Sequence, residues 1–270
     1  MIAKFLQTLL ISAILLGCSS HEELPPPDNP FDPGNPDYVG PIAIIVNGPA
    51  EGEIIDTTAV TITWEGNESA SEYRYNFDAS VWSEWITEMS RSFNYLDEGS
   101  HHFEIQAKSI NGEEQEGSIQ LDFEVNTIVG PAFVFHPYRQ RREVGDTITV
   151  SVHLLDVERV LALGFDLLFP TDSLRYLDYS EGGISEEWGG QTLSIVDPGQ
   201  DETVGRLSVA FTAIEGNLLG YTGSINAISL RFVVENPGTF WLYPQHIIIV
   251  NPDGQEGHIN VSRGTRIDTQ

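Results

Sequence analysis

The 270-residue chain has one cysteine, Cys18, so no internal disulfide can form and each folded unit must be stable by packing alone. Only 13 lysines and arginines stand against 40 acids, a formal charge of −27. A field of that sign repels phosphate backbones and anionic lipid headgroups, which excludes nucleic acid as a partner. Residues 41–126 hold 17 acids and 3 bases, and residues 130–270 hold 18 and 9. The apolar run Phe5–Leu16, about a dozen residues, is too short to span a bilayer. No window sustains a helical period. The seven histidines (His21, His101, His102, His136, His153, His246 and His258) fall in no metal-ligand spacing. There is no Gly-x-Ser-x-Gly elbow and no phosphate-binding glycine loop. No metal, no cofactor and no catalysis are expected. With 40 acids, some carboxylate pair reaches glycosidase distance by chance, so spacing nominates none.

What the chain does have begins with a targeting signal. One positive charge, Lys4, precedes the apolar run, which ends in Leu15-Leu16-Gly17-Cys18. This stretch resembles the lipobox of bacterial lipoproteins. The resemblance implies cleavage after residue 17, a diacylglycerol on the Cys18 sulfur and an acylated amine. Two or three acyl chains, at roughly 0.8 kcal/mol per buried CH₂, hold a protein on a membrane essentially permanently. The expected location is therefore the bacterial cell envelope, at the outer membrane or cell surface. Residues 18–40 are acidic and proline-rich and read as a linker, a stalk that holds the rest away from the lipid. Its Asp and Asn residues lack the regular loop spacing and closing glutamate of calcium sites.

From Ile42 onward the hydrophobic period is two. Val60, Ile62 and Trp64 alternate with threonines; Tyr73, Tyr75 and Phe77 follow, then Phe103-x-Ile105-x-Ala107 and Ile119, Leu121, Phe123 and Val125. A second series starts after Gly130-Pro131: Ile148 to Leu154, then Leu163, Phe165, Leu167 and Phe169, then Leu207 to Phe211 and Ile228 to Val234. Short alternating strands without intervening helices predict an all-β chain of two β-sandwich domains, divided at residues 127–131.

Residues 41–126 resemble a fibronectin type III-like spacer module. The carrying motifs are Thr63-Trp64, Tyr73-Arg74-Tyr75, Trp82-Ser83-Glu84-Trp85 and Leu96-Asp97-Glu98-Gly99 followed by Phe103-Glu104-Ile105-Gln106-Ala107. His101 stands where these modules usually place the tyrosine of the tyrosine corner. Trp82 and Trp85, three apart on an expected strand, should point to opposite faces, which puts at least one in the core.

Residues 130–267 resemble a cohesin domain, the receptor half of the cohesin–dockerin pair. The carrying residues are Val144-Gly145-Asp146-Thr147, Leu163-Gly164-Phe165-Asp166-Leu167-Leu168-Phe169, Leu174-Arg175-Tyr176-Leu177, Gly182-Gly183, Ile228 to Phe232 with Pro237-Gly238-Thr239, and Asn251 to Gly264. The resemblance implies a jelly roll and a dockerin-bearing protein as partner. The family commonly has an aromatic followed by Asp-Pro after the third strand, where this chain has Phe169-Pro170-Thr171-Asp172. With Leu163, Phe165, Leu167 and Phe169 inward, Gly164, Asp166 and Leu168 are the outward, candidate partner-binding positions. Glu186-Glu187-Trp188-Gly189-Gly190 reads as a solvated loop with its tryptophan tucked under it. The expected function is a non-catalytic, membrane-anchored surface lipoprotein that binds a protein partner or a polysaccharide-associated complex. The alternatives are a direct carbohydrate-binding module and a structural envelope protein. Sugar binding would call for a planar row of exposed aromatics, which the sequence does not show.

Overall fold

A computed structural model describes residues 27–29, 31–198 and 205–270. The lipobox and Cys18 lie outside the described residues. The chain is all-β apart from one short helix, and its apolar side chains gather into two large separate cores.

The first core is enclosed by two sheets. Strands β1 (Ala43–Asn47), β3 (Ala59–Gly66) and β5 (Ser90–Asn94) form one, in the order β1-β3-β5. Strands β2 (Glu53–Ile55), β4 (Glu72–Phe77), β6 (Gly99–Lys108) and β7 (Ile119–Val125) form the other, in the order β2-β7-β6-β4. The alternation read from the sequence is what fills the space between them. Ile62, Trp64, Phe103, Ile105 and Ala107 are fully buried, while Thr61 bonds Ser92 on the outside. The Trp64 ring meets Tyr73, Tyr75 and Phe103 at centroid distances of 6.3, 6.2 and 6.0 Å.

One expectation for this half is revised, and two further features stand beside it. Trp82 and Trp85 are both only half-buried and both flank Arg74, whose guanidinium lies 5.2 Å from one ring and 4.5 Å from the other. Alternation fails there because the segment is not a continuous strand; it meets β4 only at a bridge between Tyr73 and Ile86 and at hydrogen bonds between Ser83 and Tyr75. The linker end is coiled. Asn29, Asp32 and Asn35 each accept the backbone N–H two residues on, which coils the chain into successive turns. Tyr38 then donates to Glu113 Oε2 at 2.6 Å and holds that coil against the sandwich. Finally, His101 fills the place of the missing tyrosine. It is buried, its Nε2 lies 2.9 Å from the Asp97 carbonyl four residues upstream, and its Nδ1 lies 2.8 Å from Asp78 Oδ2.

The second core lies between a five-stranded and a four-stranded sheet. Strands β8 (Ala132–His136), β9 (Arg139–Arg142), β10 (Thr147–Val160), β11 (Ala162–Phe169) and β12 (Leu174–Glu181) lead to a helix, α1 (Gly183–Trp188). After it come β13 (Thr192–Pro198), β14 (Gly205–Ala213), β15 (Tyr221–Val234), β16 (Gly238–Leu242), β17 (Pro244–Val250), β18 (Val261–Arg263) and β19 (Thr265–Thr269). The large sheet runs β12-β15-β10-β8-β18, the facing sheet β13-β14-β11-β17, and β16-β19-β9 covers one end. Ile148, Val150, Val152 and Leu154 of β10 are fully buried against Leu163, Phe165 and Leu167 of β11. The last strand continues to Thr269, two residues beyond the boundary expected from the sequence.

Helix α1 corrects the reading of 186–190 as a loop. Ile184 and Trp188, four apart, share one helix face and are fully buried, while Glu186 and Glu187 remain in water. Gly189 ends the helix at φ 65°, a left-handed conformation that costs glycine nothing. Trp188 packs on Phe211 at 5.2 Å and donates from Nε1 to the Val160 carbonyl at 3.2 Å.

Candidate functional site

The sheet β13-β14-β11-β17 has one face on the core and one toward solvent. Directly paired residues of antiparallel strands share a face, so the register gives the outer surface rung by rung. Gly164 of β11 pairs with Ala210 of β14 and with Ile248 of β17, and Ala210 pairs with Ile195 of β13. One rung therefore crosses all four strands as Ile195, Ala210, Gly164, Ile248. The next rung is Leu193, Thr212, Ala162 and Val250. Leu193, Ile195 and Ile248 are 48 %, 52 % and 47 % exposed.

This is a shallow apolar trough. Its floor is Gly164, Ala162, Ala210 and Thr212, and its walls are branched aliphatic side chains on the two edge strands. At a strand spacing near 4.8 Å the walls stand about 14 Å apart, wide enough for an α-helix about 10–12 Å across. Gly164 is not required by the backbone, since an added Cβ would come no nearer than 3.4 Å to the Val209 carbonyl. Its effect is to keep the floor flat.

One end of the trough is polar. Asp166 lies on the outer side of β11, as the alternation implied, but it is not the open carboxylate expected. It is only 7 % exposed, capped by Ser208 Oγ at 2.7 Å, Arg206 Nη2 at 2.6 Å and His246 Nδ1 at 2.7 Å. Burial pushes its carboxyl up, but the hydrogen bonds from Ser208, Arg206 and His246 and the Arg206 charge outweigh that and hold it at about 2. What Asp166 does is orient a guanidinium and an imidazole: the Arg206 and His246 side chains are 52 % and 74 % exposed. His246 reaches it because β17 carries a bulge between Ile248 and Gln245, with His246 at φ 50°. Leu168, paired with Arg206, is half-buried at the same end.

Of the sequence-predicted positions, Gly164, Asp166 and Leu168 thus share one surface, with Gly164 in the trough and the other two at its polar end. Leu193, Ile195, Ala210 and Ile248 complete that surface and were not anticipated. The tryptophan pair of the first sandwich offers no free platform: Arg74 lies against both rings and Lys108 Nζ lies 4.5 Å from the Trp85 centroid. Among the described residues no group of three or more His, Cys, Asp or Glu side chains is placed to hold a metal ion.

No family model matches the chain, and no curated protein matches it. Among solved structures it is similar to a non-cellulosomal cohesin from the archaeon Archaeoglobus fulgidus, at 17 % identity over 52 % of this chain and 90 % of that one, with a TM-score of 0.40. It is also similar to a type I cohesin–dockerin complex from Clostridium thermocellum, at 15 % identity over 52 % and 98 % with a TM-score of 0.42. A type II cohesin from the cellulosome of Acetivibrio cellulolyticus aligns at 10 % identity over 50 % and 94 %, again at 0.42.

Proposed function

We propose that the chain is an envelope lipoprotein, anchored through Cys18, whose second sandwich docks a helical protein module of the dockerin kind in the trough of its four-stranded sheet. The observation that carries this reading is the rung Ile195-Ala210-Gly164-Ile248. A contiguous exposed apolar strip on a soluble sandwich marks an interaction surface, and a flat floor between aliphatic walls suits the apolar face of a helix. At one end Arg206 supplies a cationic group, with the His246 ring beside it, for an acidic group on the partner, in a chain whose overall charge is strongly negative. The resemblance of residues 130–267 to cohesins supports the choice of a dockerin-type partner. The role is binding rather than catalysis.

The test is calorimetric titration of residues 27–270 with dockerin modules encoded in the same genome. Binding by at least one module is expected, weakened at least a hundredfold by Ile195→Asp with Ile248→Asp while the melting temperature stays put. Exposed positions of this kind usually shift stability by no more than about 0.5 kcal/mol. No binding by any module, or equal binding by the double variant, would place the function elsewhere.

A further inference from the structure

Residues 126–131 join strand β7 of the first sandwich to β8 of the second. Each sandwich has its own core, and for units joined in this way relative motion is the default. A joint bends where a few loop residues are free to change φ and ψ. In this stretch nearly every residue is tied. Asn126 donates its N–H to the Ile55 carbonyl at 2.9 Å. The N–H groups of Thr127 and Ile128 and the Thr127 hydroxyl all donate to the Glu98 carboxylate, at 2.8, 3.3 and 2.5 Å. The Ile128 side chain is buried against Ala132 and Val134 of β8. Further on, Asn260 donates from its side chain to the Gly130 carbonyl at 3.1 Å and from its N–H to the Pro131 carbonyl at 2.8 Å. Among the described residues only Val129 of this stretch, 80 % exposed, has no such tie.

Glu98 belongs to the first sandwich, at the turn into β6, and it reaches the second as well. Arg263 of β18 donates to its Oε1 at 2.7 Å, and the arginine and glutamate side chains are only 12 % and 19 % exposed. One carboxylate therefore accepts three hydrogen bonds from the joint and one from the far sandwich. A charged and largely covered acceptor holds its donors more tightly than a neutral one would. The preceding residue repeats the arrangement. Asp97 Oδ1 accepts the Tyr138 N–H at 2.6 Å and lies 3.2 Å from His136 Nδ1.

Beside these carboxylates, Tyr95 sits at φ 60°, a left-handed conformation costly for a residue with a Cβ. Its ring meets Tyr138 and Trp241 edge-on, at centroid distances of 5.5 and 5.7 Å, and Arg266 donates to its hydroxyl at 2.8 Å. Backbone strain persists only where the surroundings over-determine it, and these three partners all belong to the second sandwich.

We infer that the two sandwiches are locked into a single rigid arm, with Glu98 fastening both the joint and the second sandwich to the first. The first sandwich then does more than add length: it fixes the direction in which the faces of the second are presented. The two cores do not merge across the contact, so its rigidity depends on a few named bonds and is lost with them. The lock holds whether or not the trough docks a partner.

The test is a distance measurement by double electron–electron resonance on residues 27–270, a stretch without cysteine. Spin labels are placed at Ile44→Cys on β1 and Ile248→Cys on β17, strand positions that are 54 % and 47 % exposed. The labelled parent is expected to give one narrow distance distribution. Glu98→Gln with Arg263→Met should broaden it about twofold or more, while both sandwiches keep their melting transitions. Arg263→Met alone, which keeps the three bonds from the joint, serves if the double variant does not fold, and should also broaden the distribution. Arg175→Gln breaks an ion pair with Glu235 on β12, at the opposite edge of the large sheet from β18, and should leave the width unchanged. A broad distribution in the parent, a folded double variant or Arg263→Met protein as narrow as the parent, or equal broadening by Arg175→Gln would each overturn the inference.

Discussion

His101 is the position at which sequence and physical chemistry make the sharpest quantitative demand. Its ring is 6 % exposed, and its two nitrogens face a carboxylate oxygen of Asp78 and the carbonyl of Asp97. Both partners are acceptors, so only the protonated ring can donate to both, and this contact favours the imidazolium. Burial works against that charge, but the hydrogen bonds to Asp78 and to the Asp97 carbonyl outweigh it and raise the pKa above 6.5. A raised folded pKa means that this stabilisation is complete below the unfolded value near 6.5 and is lost as pH rises through the folded value. His101→Phe keeps the ring stack on Phe77 and Phe123 but abandons both hydrogen bonds. Hydrogen bonds to charged groups contribute about 1.5–3 kcal/mol each, and exposed Asp78 recovers water, so a net loss of about 2–3 kcal/mol is expected. For a unit the size of the first sandwich that is a fall of roughly 10–20 °C in its melting transition. His101→Tyr should lose less, since a phenol can donate to the Asp97 carbonyl, and should remove this residue's share of the pH dependence. The assay is thermal and urea unfolding of residues 27–270 between pH 5.5 and 9, comparing wild type with each variant, so that His102 cancels in the difference. A His101→Phe cost under about 0.5 kcal/mol, or parallel pH profiles for wild type and His101→Tyr, would refute the reasoning.

The second sandwich holds a histidine of opposite sign. Burial, helped by neighbouring His136, pushes His153 down to about 4, so its contribution is complete above pH 6.5 and is lost as the pH falls toward 4. His153→Gln should flatten the acid limb of the melting curve, and an unchanged limb would count against this assignment. Trp188→Ala removes a fully buried ring and its bond to Val160 and should cost about 3–5 kcal/mol by denaturant unfolding. Fragments 41–126 and 130–270 are expected to fold separately, because each encloses its own core; cooperative melting of each alone is the check. Cys18→Ser is expected to abolish labelling by a radioactive fatty acid, and equal labelling of the variant would remove the anchor from the account.

The strands were legible because alternation with period two records which side chains face a core, and Trp64, Phe103 and the β10 and β11 runs are all buried as that pattern demands. Legibility stopped where a face depends on pairing rather than on the pattern. Ile248 sits between Ile247 and Ile249, and three consecutive isoleucines do not say which one faces out; only the pairing with Gly164 does. Leu193 and Ile195 alternate correctly, yet nothing local tells that their apolar side is the wet one. The side on which Asp166 lies was legible, but its cover was not, because Arg206 and His246 arrive from 40 and 80 residues away. Helix α1 has two turns at most, too short for a periodic signal, although Ile184 and Trp188 at a spacing of four between flanking glycines were there to be read. Trp82 and Trp85 misled because a strand rule was applied to a segment that is not a regular strand.

The docking trough is tested most directly by hydroxyl-radical footprinting of the protein on intact cells and in purified form. Leu193, Ile195 and Ile248 are predicted to be strongly protected on cells and reactive when purified. Val81 and Ile110, 90 % and 87 % exposed on the first sandwich, should react equally in both. Equal oxidation of Leu193, Ile195 and Ile248 in the two preparations would contradict the assignment of this face to a partner.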